Sequence, residues 1–243
     1  IMCDHVSTLL FSPTKVGYAN LLREGFKENN SAPFSADNPK IYHCGDVMYD
    51  NSLYFSAVAD QKSDIIARLG VQSGKFILAT IHRNNNTDEP ARLSALFRSM
   101  HKISKENDLD IVLPLHPRTA KLLETNLDKA LYAEIKSNAH FKICEPASFL
   151  EMVCLEKHCK LVMTDSGGVQ KEAFFYGVPC ITMRDETEWV ETVELGWNRL
   201  VGASADAIVA AVSEETLGTR SVAEVFPYGR GDAARKIIND ISS

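Results

Sequence analysis

No run of apolar residues in this chain approaches the ~20 needed to cross a bilayer, so the residues at hand hold no candidate transmembrane helix and no membrane partner is expected. Basic runs are missing as well. With 26 Lys and Arg against 32 Asp and Glu, the formal net charge is −6, which argues against a general nucleic-acid surface. An anionic ligand would have to be held by a local positive site. None of the six cysteines, at positions 3, 44, 144, 154, 159 and 180, forms a Cys-x-x-Cys pair. Cys154, His158 and Cys159 cluster, but a closed zinc site needs four ligands and no fourth stands nearby. No metal is expected. The thiols read as reduced and mostly buried, the usage of a cytoplasmic protein. Internal repeats and low-complexity segments are also absent.

What is plentiful is alternation. At 243 residues and 45% hydrophobic content, the chain can bury one substantial core, or one core and part of another. Short apolar runs at 76–80, 111–115, 141–143, 161–163, 180–183 and 199–201 read as strands. Helical patterns lie near 89–106, 118–125, 147–157, 168–176, 188–195 and 204–216. That order predicts an α/β fold, a doubly wound parallel sheet of six strands covered by helices. Residues 1–50 do not fit it. A strand ending at Phe11-Ser12-Pro13-Thr14, a helix over 15–24, a polar loop over 27–39 and a strand-like piece before Gly45 are too few for an independent core. They read as the last elements of a preceding domain, and the chain as a fragment. A terminal helix is expected over 232–241, after the turn at Phe226-Pro227-Tyr228-Gly229.

The most informative stretch is Thr164-Asp165-Ser166-Gly167-Gly168-Val169-Gln170-Lys171-Glu172. A buried strand runs into a small polar and glycine loop, and a helix starts at once. This order aims free backbone N–H groups and the positive end of a helix dipole at one point. Gly167 and Gly168 remove side chains that would keep an anion away from the backbone, and Ser166 adds a hydroxyl donor. Glu172, a helical turn on, can accept from a vicinal diol such as a ribose. Diphosphate beside ribose is a nucleotide. Taken alone, Ser-Gly-Gly is also a common tight connection, and a Glu in a helix's first turns is also simply favourable with the dipole.

The neighbouring strand ends weigh on that choice. His82 and Arg83 follow strand 76–80, His116 follows strand 111–115, and Arg184 follows strand 180–183. All sit at the carboxyl edge, where doubly wound folds build sites. Four strand ends thus bring polar groups to one rim with the Ser166 loop. For His116, between Pro114 and Pro117, a structural role is as good a reading as a functional one. His5, His43, His101, His140 and His158 read as structural. Trp189 can shelve a base or form the apolar face of a short helix.

These residues resemble a known family. Thr80-Ile81-His82-Arg83, Pro114-Leu115-His116-Pro117, Thr164 to Ala173, Arg184-Asp185-x-Thr187-Glu188, Leu200-Val201-Gly202 and Pro227-Tyr228-Gly229-x-Gly231 are similar, in order, to the non-hydrolysing UDP-N-acetylglucosamine 2-epimerases. The resemblance implies two Rossmann-like lobes of the GT-B type with UDP-sugar in the cleft. Residues 1–48 would then be a remnant of the amino-terminal lobe, and 49–243 the carboxyl-terminal, UDP-binding lobe with its last helix packing towards the first. By motif position, Ser166, Gly167 and Gly168 hold the diphosphate, Glu172 the ribose, and Arg184 the UDP-sugar, while His82 faces the reacting sugar as the catalytic group. A second UDP-N-acetylglucosamine near Arg83 and His116 would be an activator, and the full-length protein a homodimer.

The activity so implied inverts C2 of the sugar by elimination and re-addition of UDP, without NAD or other cofactor, for polysaccharide precursors. The acid/base carboxylates would belong to the amino-terminal lobe, so the isolated chain is expected to have no turnover. Lys171 replaces a usual Glu, and Glu188-Trp189-Val190-Glu191 and His82-Arg83-Asn84-Asn85 depart from the family pattern. A modified substrate, such as a UDP-2,3-diacetamido sugar acid, is one alternative. A GT-B glycosyltransferase is the other.

Overall fold

A computed structural model of the protein describes residues 1–115, 117–217 and 226–242. The chain divides into two compact units. One comprises Ile1–Tyr54 with the described carboxyl-terminal residues, and the other runs from Phe55 through Leu217 among the described residues.

The first unit opens with α1 (Met2–His5), β1 (Leu9–Ser12), α2 (Lys15–Arg23) and β2 (Lys40–His43), followed by α3 (Val47–Lys62), which runs on past the boundary at Tyr54. Strands β1 and β2 pair in parallel, Leu9 opposite Lys40 and Ser12 opposite His43. Leu10, Phe26 and Ile41 form their small apolar core. Thr14 caps α2 by accepting from the Gly17 N–H at 3.0 Å, which fixes the sharp strand-to-helix turn. The last helix of the chain belongs to this unit and spans Ala233–Ser242. Asp50 anchors it, accepting from the Ala233 and Ala234 N–H groups at 3.3 and 2.8 Å.

The second unit continues with α4 (Ile65–Leu69), β3 (Phe76–Thr80), α5 (Asn84–Thr87), α6 (Pro90–Glu106), β4 (Asp110–Pro114), α7 (Pro117–Asn126), α8 (Lys129–Ser137) and β5 (Phe141–Cys144). Then come α9 (Phe149–His158), β6 (Leu161–Thr164), α10 (Gly167–Phe175), β7 (Cys180–Thr182), α11 (Val190–Glu194), β8 (Asn198–Leu200) and α12 (Ala205–Leu217). The helix over Ala233–Ser242 is α13. Six strands form one parallel sheet in the order β5-β4-β3-β6-β7-β8. The chain moves outward one way from β3, then returns beside it at β6 and moves the other way. That reversal is the topological switch point of a doubly wound fold.

Burial follows position in the sheet. Every residue of the central β3 and β6 is buried, whereas the edge strands β5 and β8 are only partly so. Strands covered on both faces read as continuous apolar runs, which is why they are legible in the sequence. Along β3 the side chains alternate between two cores. Ile77 and Ala79 join Leu93, Phe97 and Met100 of α6 and Ile208 of α12 on one face. Phe76 and Leu78 join Val153 and Leu155 of α9 and Val169 and Ala173 of α10 on the other.

The six expected strands are all present within a residue or so of their expected bounds. Elements the sequence reading did not assign are α1, α3, α4, α5 and α8. Asn84–Thr87, a polar stretch to which the sequence reading gave no element, makes a helical turn with Thr87 and Asp88 donating to the Arg83 and Asn84 carbonyls at 3.0 and 2.8 Å. The cysteines at 44, 154, 159 and 180 are buried and all six are free thiols. Among the described residues no helix is long and apolar enough to cross a membrane, and no group of three or more His, Cys, Asp and Glu is placed to hold a metal ion.

Candidate functional site

The switch point brings the ends of β3, β6 and β7 side by side, with Thr80 paired to Thr164 and Thr164 to Thr182. The Thr80 and Thr164 hydroxyls lie 2.6 Å apart. Thr164 Oγ1 also accepts from the Ser166 N–H at 2.9 Å, turning the chain out of the strand. Ser166 then stands at the N-cap of α10 with its hydroxyl not engaged in capping. The N–H groups of Gly167, Gly168 and Val169 take no part in hydrogen bonds among the described residues, as expected of a helix's first turn. This is an amide cradle at the positive end of a nine-residue helix.

The residue that assembles the rim is Asp165, which sequence reasoning passed over. It is fully buried. Its carboxylate accepts from the His82 N–H at 3.0 Å, the Arg83 N–H at 3.1 Å and the Asn86 side-chain amide at 3.0 Å. Its carbonyl accepts from Arg83 Nε at 3.1 Å. Asn86 also donates to the Met183 carbonyl at 3.2 Å, so one network laces the ends of β3, β6 and β7. Donors of this kind satisfy the oxygens of a buried acid. The detectable signal was the Asp between a buried strand and a glycine loop. Its partners depend on a strand order that the motif does not state.

His82 is therefore held at its backbone and Arg83 at both its backbone and its Nε, while both residues stay exposed. Arg184 leaves β7 with its side chain 11% exposed and donates to Glu188 at 2.9 Å. A cavity of about 270 Å³ opens beside these residues, lined by Arg83, Asn86, Arg92, Arg184 and Asp185 among others. Its three arginines face two acids, Asp185 and Glu186, and Arg92 and Arg184 are paired with Asp185 and Glu188, so the hollow holds a local excess of positive charge in a chain of net charge −6.

A carboxylate already lies against the cradle. A Cβ placed on Gly167 would stand 2.2 Å from Glu188 Oε1 and 3.3 Å from Trp189 Nε1. A Cβ there would have to push aside the flexible end of Glu188, so glycine is what lets that carboxylate lie so close. Burial alone would push the Glu188 carboxyl up, but its own backbone N–H and the Arg184 guanidinium, with Arg83 behind, hold it below the usual carboxylate range. The start of α10 thus carries an anion supplied by the protein itself. Trp189 is not an open shelf: the Lys171 ammonium sits 4.0 Å from its ring centroid. Glu172, on the second turn of α10, is half-buried; burial raises its carboxyl above the ordinary value and Lys171 opposes that rise. The structure brings His82, Arg83, Ser166, Gly167, Gly168 and Arg184 to the carboxyl edge of the sheet, and Glu172 follows on the second turn of α10. His116 lies outside the described residues.

Residues 1–242 match the family profile of the UDP-N-acetylglucosamine 2-epimerases. The chain is 42% identical over 237 residues to the UDP-2,3-diacetamido-2,3-dideoxy-D-glucuronate 2-epimerase of Pseudomonas aeruginosa, a match covering 98% of this chain and 60% of that protein. It is 37% identical over 240 residues to the UDP-N-acetylglucosamine 2-epimerase of Methanocaldococcus jannaschii, covering 98% and 62%. The crystal structure of the latter enzyme with UDP-GlcNAc and UDP is similar at a TM-score of 0.83 and 36% identity, covering 98% of this chain and 62% of that one. The chain spans about 60% of the length of the curated relatives it matches.

Proposed function

Because this chain belongs to the UDP-N-acetylglucosamine 2-epimerase family, we propose that it forms the nucleotide-binding part of an enzyme interconverting UDP-N-acetylglucosamine and UDP-N-acetylmannosamine. The observation that carries this reading is the amide cradle of Gly167, Gly168 and Val169 with Arg184 beside it. In the proposed reaction a base removes the C2 proton, the C1–O bond breaks and UDP departs with the bonding electrons. A C1=C2 double bond remains. Re-addition of UDP at C1 and of a proton at the opposite face of C2 gives the epimer, so electrons and atoms balance without a redox cofactor.

The costly part for this chain is the charge arriving on the departing diphosphate. Amides and guanidiniums fixed before the bond breaks meet that charge without reorganising. Arg184 supplies a cation once the diphosphate takes the place of Glu188, and His82 and Arg83, pinned through their backbone by Asp165, face the same edge. Glu172 receives the ribose hydroxyls. The acid/base carboxylates, an activator site near Arg83 and His116, and a homodimer belong to the full-length enzyme.

A second reading has one specific support. The 42% identical relative is named for a diacetamido uronate substrate, and the Lys171–Trp189 pair gives this chain a cation beside the cradle. The sugar acceptable at C3 and C5 would then differ while the UDP contacts stay. Titration calorimetry with UDP tests the shared core of both readings. Glu172→Ala is expected to weaken UDP by roughly 1–3 kcal/mol, the penalty for unpaired hydroxyls, and an unchanged affinity would remove the ribose assignment.

A further inference from the structure

Gln170, on α10 three residues past Gly167, is fully buried, as are Thr182 and Thr192, and Asn198 is nearly so. Polar side chains here close a ring of hydrogen bonds. Thr187 Oγ1 donates to Gln170 Oε1 at 2.6 Å and accepts from the Trp189 N–H at 3.1 Å. The Trp189 carbonyl accepts from the Thr192 hydroxyl at 2.7 Å. Asn198 Nδ2 closes the ring, donating to Thr192 Oγ1 at 3.1 Å and to Gln170 Oε1 at 3.0 Å. Thr182 of β7 braces it from outside, donating to Asn198 Oδ1 at 2.7 Å.

The donor directions agree all the way round. Thr187 and Thr192 each give one hydrogen bond and take one, and both amide hydrogens of Asn198 are used. Gln170 Oε1 takes two donors, whereas Gln170 Nε2 has no partner among the described residues. A buried amide nitrogen left unpaired is costly, and an apolar side chain of similar size would avoid that cost. What the position keeps is the oxygen, and a buried ring paired through it holds one geometry.

The ring runs through the backbone of Trp189, and Trp189 and Glu188 stand at the start of α10. A Cβ on Gly167 would lie 3.3 Å from Trp189 Nε1 and 2.2 Å from Glu188 Oε1. The same loop begins at Arg184, which donates to Glu188 at 2.9 Å. Gln170 thus ties the helix that carries the amides to the loop that carries the cation. We propose that Gln170 is a positioning residue for the diphosphate site: through Thr187 and Asn198 it sets how far the loop 184–189 stands from the Gly167 and Gly168 amides, without reaching the ligand. The inference rests on reading the start of α10 as the diphosphate site.

Titration calorimetry with UDP on this chain tests it, across a double-mutant cycle of Gln170→Met and Thr187→Val. Methionine keeps the length and loses the acceptor; valine keeps the shape and loses the hydroxyl. Each single variant is expected to bind UDP roughly fivefold or more weakly, the scale of one lost hydrogen bond. Both break the same link, so the double variant is expected to bind no more weakly than the weaker single variant. A merely structural role would lower the urea midpoint and leave the affinity of the folded chain unchanged. If Gln170→Met does not fold, Thr187→Val, a change at a half-buried loop residue, carries the test with the same expected loss. Wild-type affinity in Gln170→Met, or in Thr187→Val where it stands alone, overturns the positioning role while the diphosphate reading stands. Losses that multiply in the double variant overturn it too. Wild type that does not bind UDP overturns the diphosphate reading and the proposal with it.

Discussion

A single missing side chain lets a carboxylate lie against the first turn of α10. Glycine at 167 lets Glu188 lie this close, since a Cβ there would stand 2.2 Å from its Oε1 and displace it, and an added methyl would likewise crowd a phosphate at the amides. Gly167→Ala is therefore expected to weaken UDP by tenfold or more, with folding retained, since alanine suits a helix better than glycine. Calorimetry beside a thermal melt separates the two effects. Glu156, 2% exposed on α9, yields a pH prediction. Unfolded, its carboxyl ionises at the ordinary 4.5; folded, burial drives it well above that value and it keeps its proton. Unfolding above that pH releases a proton, so stability is lost as pH rises from 4.5 towards the raised folded value. Glu156→Gln cannot ionise. Its advantage over wild type should be absent near pH 4 and grow at higher pH by up to about 1.4 kcal/mol per unit, read from urea melts. At this scale the strand-to-glycine-loop-to-helix turn at Ser166–Gly168 was legible because its chemistry is local. Asp165 and Glu156 were not, since an acid's partners across a fold are invisible in a string.

At the scale of elements, legibility tracked burial. The strands stood out because both faces are covered, and α6 and α9 because each carries recurring apolar residues. Helix α5 did not, since Asn84–Thr87 has no apolar face; it forms because Asp165 fixes Arg83 and Asn86, so a tertiary contact overrides local preference. Helix α8 was hidden in a short stretch after α7, although Asp128 caps it, accepting from the Ala130 and Leu131 N–H groups at 3.0 Å each. If Asp165 stitches β3, β6 and β7, then Asp165→Ala should leave buried donors unpaired and cost about 3 kcal/mol. It should also weaken UDP, because Arg83 and α5 lose their anchor. A denaturant midpoint like that of wild type would show that the stitch carries no load.

For the whole molecule, the fold class was readable from the order of strands and helices alone, and the sheet order β5-β4-β3-β6-β7-β8 then places the rim at the switch point. What the string did not state was how an acidic chain gathers a local excess of positive charge. Three arginines from separated segments do so only after folding. The central claim is that the amides opening α10, with Arg184, hold the diphosphate of a uridine nucleotide. A crystal structure of this chain with UDP tests it most directly. The account predicts diphosphate density against the Gly167 and Gly168 amides, the Glu188 carboxylate moved off Gly167, and the ribose hydroxyls on Glu172. UDP ordered elsewhere, with Glu188 still against Gly167, would contradict it.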